Sequence, residues 1–243
     1  MIRTCFILLL SLPLFIGCAQ STQSMGDLNV QINQHESEDF YYELRLEFPE
    51  FSCADDVKNC GASQLNEAVL EVINIHWSDF KDEELQSKKL FMEENTPELV
   101  HGDDEGARKF SLEVNYELFE SGPYVSLLFQ INRYDLGAHA NLMYESLVFD
   151  RFDRHFLTIT DVIHDFKANR ATVNAVLTDK LAQQDPCFDR NVSLTSRFEN
   201  FSLGPDAVMF HFAPYELGAY VCGPVTLEAG KAELEMLGLW GLH

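Results

Sequence analysis

Apolar and polar residues alternate strictly in several stretches of this chain. Tyr42, Leu44, Leu46 and Phe48 interleave with Glu43, Arg45 and Glu47, the period of two that gives a strand one dry face and one wet face. Pro49 is expected to end this strand, because proline cannot donate to a ladder. Phe110, Leu112, Val114, Tyr116 and Leu118 repeat the pattern against Ser111, Glu113, Asn115 and Glu117. Ser121-Gly122-Pro123 then turns the chain into Val125, Leu127, Phe129 and Ile131, which predicts a hairpin. A third strand is expected over about 142–149, followed by a polar turn from Asp150 to Arg154 and a short strand over 156–159. Later strands fall near 197–203, 207–212 and 225–227, and a meander is the economical connectivity.

The period lengthens to that of a helix in two places. Leu65, Val69, Val72, Ile73 and Phe80 share one stripe behind Ser63 as a cap, and Val173, Val176, Leu177 and Leu181 share another behind Asn169, with Pro186 as the stop. Thr160 or Asp161 opens a shorter helical turn between them. Strands dominate, so the predicted class is α+β, a mostly antiparallel sheet with two main helices in two subdomains.

The first 17 residues read differently. Arg3 precedes an almost unbroken apolar run from Phe6 to Ile16, too short to span a bilayer, and Phe15-Ile16-Gly17-Cys18 looks like a bacterial lipobox. This predicts a lipoprotein signal peptide over 1–17 and lipidation of Cys18. Two or more acyl chains hold a protein stably on a membrane, so the anchor would be the chain's only membrane contact. Residues 18–37, rich in Gln, Ser and Asn, read as a tether. The expected location is the cell envelope. Ala19 is not the Asp that in enteric bacteria favours inner-membrane retention, which points to the periplasmic face of the outer membrane.

Charge narrows the partners. The whole chain carries a formal charge of −22, and loss of Arg3 with the leader leaves 16 basic against 39 acidic side chains. Such a field repels phosphate backbones and acidic lipid, which argues against nucleic acid and in favour of cationic partners or none, solubility alone being the plainer reading. Cys5 leaves with the leader and Cys18 goes to lipid, leaving Cys53, Cys60, Cys187 and Cys222. In an oxidising compartment four thiols favour two disulfides, and three connectivities are possible. The expected pairs are Cys53 with Cys60 and Cys187 with Cys222, worth roughly 2.5 and 4 kcal/mol in a chain-entropy account.

No complete catalytic motif is evident. The eight histidines include no two spaced three or four apart as a helical metal site needs, and Gly-x-Ser-x-Gly, P-loop and Cys-x-x-Cys signatures are missing. Asp103-Asp104-Glu105 lacks EF-hand spacing. No catalytic residue, metal or cofactor is assigned. The nearest local grouping, His155, Asp161, His164 and Asp165, would converge only if its strand and turn fold back on each other. Two segments stand apart from generic strand and helix: Tyr134-Asp135-Leu136-Gly137-Ala138-His139-Ala140-Asn141, a tight bend, and Phe212 to Pro224, dense in aromatic, Pro and Gly residues. His139, Asn141, Tyr215, Glu216 and Tyr220 are the candidate ligand-binding residues. A turn histidine bonded to a carbonyl and a merely packed aromatic loop are the plainer readings of the same residues.

Those two segments also carry a family resemblance. Gly137, Ala138, His139 and Asn141 match a Gly-Ala-His-x-Asn run, although Leu136 replaces the usual preceding glycine. Phe149-Asp150 and Leu157 to Ile163 match a strand, turn and helix start, and Phe212, Pro214, Tyr215, Glu216, Leu217, Tyr220, Gly223 and Pro224 match a closing signature. Together they resemble the RsiV-type domain of unknown function, shared by the lysozyme-sensing anti-sigma factor RsiV and the peptidoglycan deacetylase PdaC. Residues 38–109 are similar to the smaller companion domain of PdaC type, and 110–243 to the RsiV-like domain. The resemblance implies an extracytoplasmic binding or sensing module for a lysozyme-like cationic protein or a peptidoglycan fragment. It argues against activity, since the deacetylase's catalytic unit is separate and its metal motif is missing here. The alternatives are a cell-wall polymer hydrolase using carboxylates and His139, and a structural envelope protein.

Overall fold

The computed structural model describes residues 22–25, 28–39, 41–54, 57, 59–86, 89–90, 109–184, 187–188 and 198–242. Strands β1 (Thr22–Met25), β2 (Leu28–Glu38), β3 (Tyr42–Cys53), β4 (Phe110–Ser121), β5 (Tyr124–Tyr134), β6 (Asn141–Asp150) and β7 (His155–Phe156) form one seven-stranded sheet in chain order. Neighbours are antiparallel except β3 and β4, which run parallel from Tyr42↔Phe110 to Leu46↔Val114. Parallel neighbours need a long crossover, and this one carries α1 (Ala62–Ser78) with a π-helical extension over Asp79–Leu85. The architecture is α+β and mostly sheet.

Three expectations need correction in this half. Part of the stretch read as a tether is strand: β2 pairs with β3 from Leu28↔Cys53 to Glu38↔Glu43, burying Leu28 and Val30. Its Asn and Gln side chains serve the sheet, as in the bond from Gln34 Nε2 to Glu47 Oε2 at 2.7 Å. The second correction concerns Pro49, which lies inside β3 opposite Ile32. Phe51 shares its parity and donates its N–H to Asn66 Oδ1 on α1 at 2.7 Å, so this parity faces away from β2 and the proline removes no ladder bond. Asn66 Nδ2 returns to the Phe51 carbonyl at 2.9 Å, satisfying the edge that β4 leaves uncovered. Third, Gly61 rather than Ser63 precedes α1, at φ 83°. A Cβ there would lie 2.4 Å from Phe149 Cε1, so glycine allows both the left-handed turn and the close approach.

The sheet runs across the expected subdomain border at 109/110, and the apolar residues divide elsewhere. One core joins α1 to β2, β3, β4 and β5 and ends at Phe149; the other begins at Val148 and reaches Leu239. Val148 and Phe149 are adjacent in β6 and therefore point to opposite faces.

The second core is built on a small antiparallel sheet, β8 (Phe201–Leu203), β9 (Ala207–Phe212) and β10 (Val225–Gly230), with β9 central. Helix α2 (Ile159–Val162), α3 (Phe166–Gln184) and a C-terminal α4 (Lys231–Met236) complete it. Val173, Leu177 and Leu181 of α3 are buried on one stripe as expected. Thr158 opens α2 through a reciprocal capping box with Asp161, and Asn169 lies inside α3 rather than capping it. The expected strand over 156–159 shortens to His155–Phe156, while Pro186 and Arg197 lie outside the described residues.

Three serines dock the free edge of β8 on the large sheet. Ser126 Oγ accepts from Leu203 N and Ser146 Oγ from Phe201 N, both at 3.0 Å, and Ser121 Oγ donates to the Gly204 carbonyl at 2.7 Å. An unpaired edge is thereby satisfied by side chains instead of another strand.

Candidate functional site

The small sheet's docking brings the two distinctive segments together. The bend over 135–140 joins β5 to β6, and the loop over 213–224 joins β9 to β10. His139 stacks on Tyr220 with ring centroids 3.5 Å apart and planes 13° apart, and Tyr215 leans on both rings at 5.8 and 5.4 Å. His139 Nδ1 lies 2.9 Å from the Ala140 carbonyl, which accepts only, so this nitrogen carries the proton. Nε2 in the neutral ring is then the acceptor, and the Tyr215 hydroxyl donates to it at 3.0 Å. Tyr220 donates to the same Ala140 carbonyl at 3.0 Å. A carbonyl and a phenol therefore occupy both imidazole nitrogens.

Backbone geometry presents Tyr215 outward. It takes φ 71°, in the left-handed region that disfavours a bulky side chain, and remains 59% exposed. Glu216 closes the turn beneath it: its backbone N–H donates to the Ala213 carbonyl, and its carboxylate accepts from Ala213 N. Glu216 thus positions the loop with at least one of its oxygens. Asn141 opens β6 opposite Arg133, with an exposed side chain. Val221, 86% exposed, extends the apolar rim past Tyr220. The structure accordingly unites His139, Tyr215 and Tyr220, sets Glu216 under them and leaves Asn141 at the edge.

A second histidine cluster lies behind this one and was not anticipated from the sequence. His211 on β9 is 4% exposed, with Ser202 Oγ 2.8 Å from Nε2 and Thr226 Oγ1 3.1 Å from Nδ1. Its ring lies 6.1 Å from both Phe119 and Tyr144 on the large sheet. Burial pushes its pKa down to about 4. Burial also pushes the Tyr144 phenol up, helped by Glu117 and then Glu216, so Tyr144 lies within reach of both the buried histidine ring and the carboxylate of the loop. The available signal was a lone polar ring between Phe210 and Phe212, in a strand with small hydroxyl residues on its neighbours.

Asp150, Asp153 and His155 place one donor atom each within 4.8 Å of one another, a mixed carboxylate and imidazole set that could hold a divalent cation. Asp150 Oδ1 already accepts from Phe152 N and Asp153 N at 2.8 and 3.1 Å, so part of this set shapes the turn after β6. Among the described residues His155, Asp161, His164 and Asp165 do not gather into a metal-competent group, and the Asp161 carboxylate caps α2 through Thr158 N at 2.7 Å. Cys18 and Asp103-Asp104-Glu105 lie outside the described residues. Both expected disulfides are present, Cys53 with Cys60 and Cys187 with Cys222. Among the described residues no helix is long and apolar enough to cross a membrane.

Residues 160–228 match a family described as protein of unknown function (DUF3298). That span holds Tyr215, Glu216 and Tyr220 but not His139. Comparison with curated proteins gives no match. Among solved structures, a member of the DUF3298 family from Bacteroides fragilis is similar with TM-score 0.64 and 16% identity, over 90% of this chain and 96% of that one. A DUF3298 family protein from Pseudomonas aeruginosa is similar with TM-score 0.57 and 15% identity, over 92% of this chain and 96% of that one. At these identities the likeness is one of fold.

Proposed function

We propose that this chain is a lipid-anchored binding module of the cell envelope that captures a cationic, lysozyme-like protein, with His139, Tyr215 and Tyr220 on its contact surface. The observation that carries the reading is the convergence of two segments, 76 residues apart at His139 and Tyr215, on a ring cluster in which Tyr215 is exposed and His139 and Tyr220 are half-buried. A rigid tyrosine with a polar tip is a favoured interface anchor, because it buries area at little entropic cost. The formal charge of −22 adds the second half of the argument, since an acidic surface speeds capture of a basic partner and suppresses acidic competitors. The resemblance to the RsiV-type domain supports the same direction, and the signal-like leader ending at Cys18 supports the location.

A soluble Cys18→Ala protein titrated with a lysozyme at low and high salt tests this. Binding is expected to weaken as salt rises and to fall about tenfold or more in Tyr215→Ala, a hot-spot-sized loss. Equal affinity at both salt concentrations, or no binding, overturns the cationic-protein reading. Parallel titration with muropeptides reports whether the rings take saccharide instead.

A further inference from the structure

The two disulfides differ in setting. Cys53–Cys60 closes a short loop against the first core, where Cys60 is 1% exposed. Cys187–Cys222 has an exposed partner in Cys187, and Cys222 ends the turn Tyr220–Cys222 whose tyrosine stacks on His139. Around this second bridge the chain fits closely. Phe188 forms a β-bridge with Gly218, where a Cβ would lie 3.2 Å from Phe188 Cδ1 and 3.3 Å from Cys222 Sγ. Leu217 and Val225 are buried on either side, but Ala219 to Gly223 forms no strand pairing with the rest of the molecule. Among the described residues that stretch is held by local turn bonds, the contacts of Tyr220 with His139, Tyr215 and the Ala140 carbonyl, the packing of Cys222 against the second core, and the bridge at Cys222.

We propose that Cys187–Cys222 is a redox clasp that governs whether Tyr220 is held against His139. Exchange requires a thiolate to reach a disulfide sulfur, so an exposed bridge reacts before a buried one. A dithiol reductant attacks Sγ of Cys187 and the S–S bond breaks. Cys222 leaves as a thiolate, which takes a proton from water. The second thiol of the reductant resolves the mixed disulfide at Cys187, so the protein gains two electrons and two protons while the reductant becomes a disulfide. Opening removes the covalent link between Cys187 and Cys222, while the pairing of β9 with β8 and β10 is left in place. The Tyr220 ring then loses its covalent support from behind, and the ring cluster loosens. The consequence for partner capture rests on the function proposed above; the loosening itself does not.

The experiment uses the full oxidised protein under graded dithiothreitol, with alkylation and mass mapping of each cysteine. Nuclear magnetic resonance follows the His139 and tyrosine rings, and far-ultraviolet circular dichroism checks the fold. Cys187 and Cys222 are expected to become alkylated at about tenfold less reductant than Cys53 and Cys60. At that point the His139 ring signals shift, lysozyme affinity falls about tenfold, and reoxidation restores both. A double Cys187→Ser, Cys222→Ser variant should reproduce the shifted signals with an unchanged dichroism spectrum. Opening of Cys53–Cys60 first or simultaneously overturns the proposal, as do ring signals that stay unmoved once Cys187–Cys222 is open. If the oxidised protein binds no lysozyme, the proposed function fails while the ring signals still decide the clasp.

Discussion

His139 and His211 are each held by both ring nitrogens, each lie against aromatic rings, and do opposite jobs. His211 sits between β8 and β10 with Ser202 and Thr226 as partners and 4% of its surface exposed. His139 sits in a surface bend with a carbonyl and the phenol of a residue that is itself 59% exposed. Hydrogen bonding does not separate them; burial does. The first pair of bonds satisfies imidazole nitrogens that folding has removed from water, whereas the second fixes the pose of rings that water still reaches.

If that contrast is right, the largest effect follows from truncating the buried ring. His211→Ala removes a side chain packed against Phe119 and Tyr144 and takes from the buried Ser202 hydroxyl its imidazole partner. A cavity plus one buried hydroxyl left without its imidazole should cost roughly 2 to 4 kcal/mol, read by urea unfolding. A loss below about 1 kcal/mol would place His211 with His139 as a surface feature.

Acid sharpens the same comparison. The pKa of His211 is pushed down to about 4 by burial, against about 6.5 in an unfolded chain. The unfolded state therefore binds more protons between these values. Stability from the neutral ring is fully present above pH 6.5, declines as pH falls through that window and is gone below about 4. The decline amounts to about 3 kcal/mol. The half-buried His35, also shifted down by burial, acts with the same sign. A His211→Gln protein should lose most of this slope while keeping a polar side chain in the joint; an unchanged slope would assign it to other groups.

How much of this was legible in the sequence depended on whether one residue's role was set locally. Strands β4 and β5 were readable because Phe110 to Leu118 alternates without interruption and Val125, Leu127, Phe129 and Ile131 continue the period after the turn, with Leu128 as the one break. Strand β2 was hidden because Asn29, Gln31, Asn33 and Gln34 look like linker composition until β3 supplies partners. Pro49 misled because the direction of its missing donor depends on the register with β2. The candidate site shows the same division. Glycine and aromatic density marked the bends at His139 and Tyr215, but their meeting depends on Ser121, Ser126 and Ser146 fixing β8 to the large sheet. Those serines occupy ordinary polar positions within or at the end of their strands, and nothing local distinguishes them. His211 escaped for the converse reason, since the lone polar ring between Phe210 and Phe212 is visible in the sequence but its hydroxyl partners lie on the neighbouring strands β8 and β10.

The smallest expected effect on stability is also the most discriminating. Tyr215 holds φ 71°, a conformation that costs an L-residue on the order of 1 kcal/mol and costs glycine almost nothing. Its ring is 59% exposed, so truncation gives up little buried area, and the bond to His139 is partly wet and worth about 1 kcal/mol at most. Tyr215→Gly should therefore leave unfolding stability within about 1 kcal/mol of the parent, with relief of backbone strain offsetting the lost contacts, while lysozyme binding falls about tenfold or more. A residue kept in a costly conformation without a stability benefit is under a functional constraint. Tyr215→Phe divides the two contributions further, since it keeps ring and strain and removes only the hydroxyl; stability should fall by about 0.5 to 1 kcal/mol, with binding retained in part. If Tyr215→Gly instead destabilises the fold by more than about 2 kcal/mol, the exposed rings brace the molecule as His211 does.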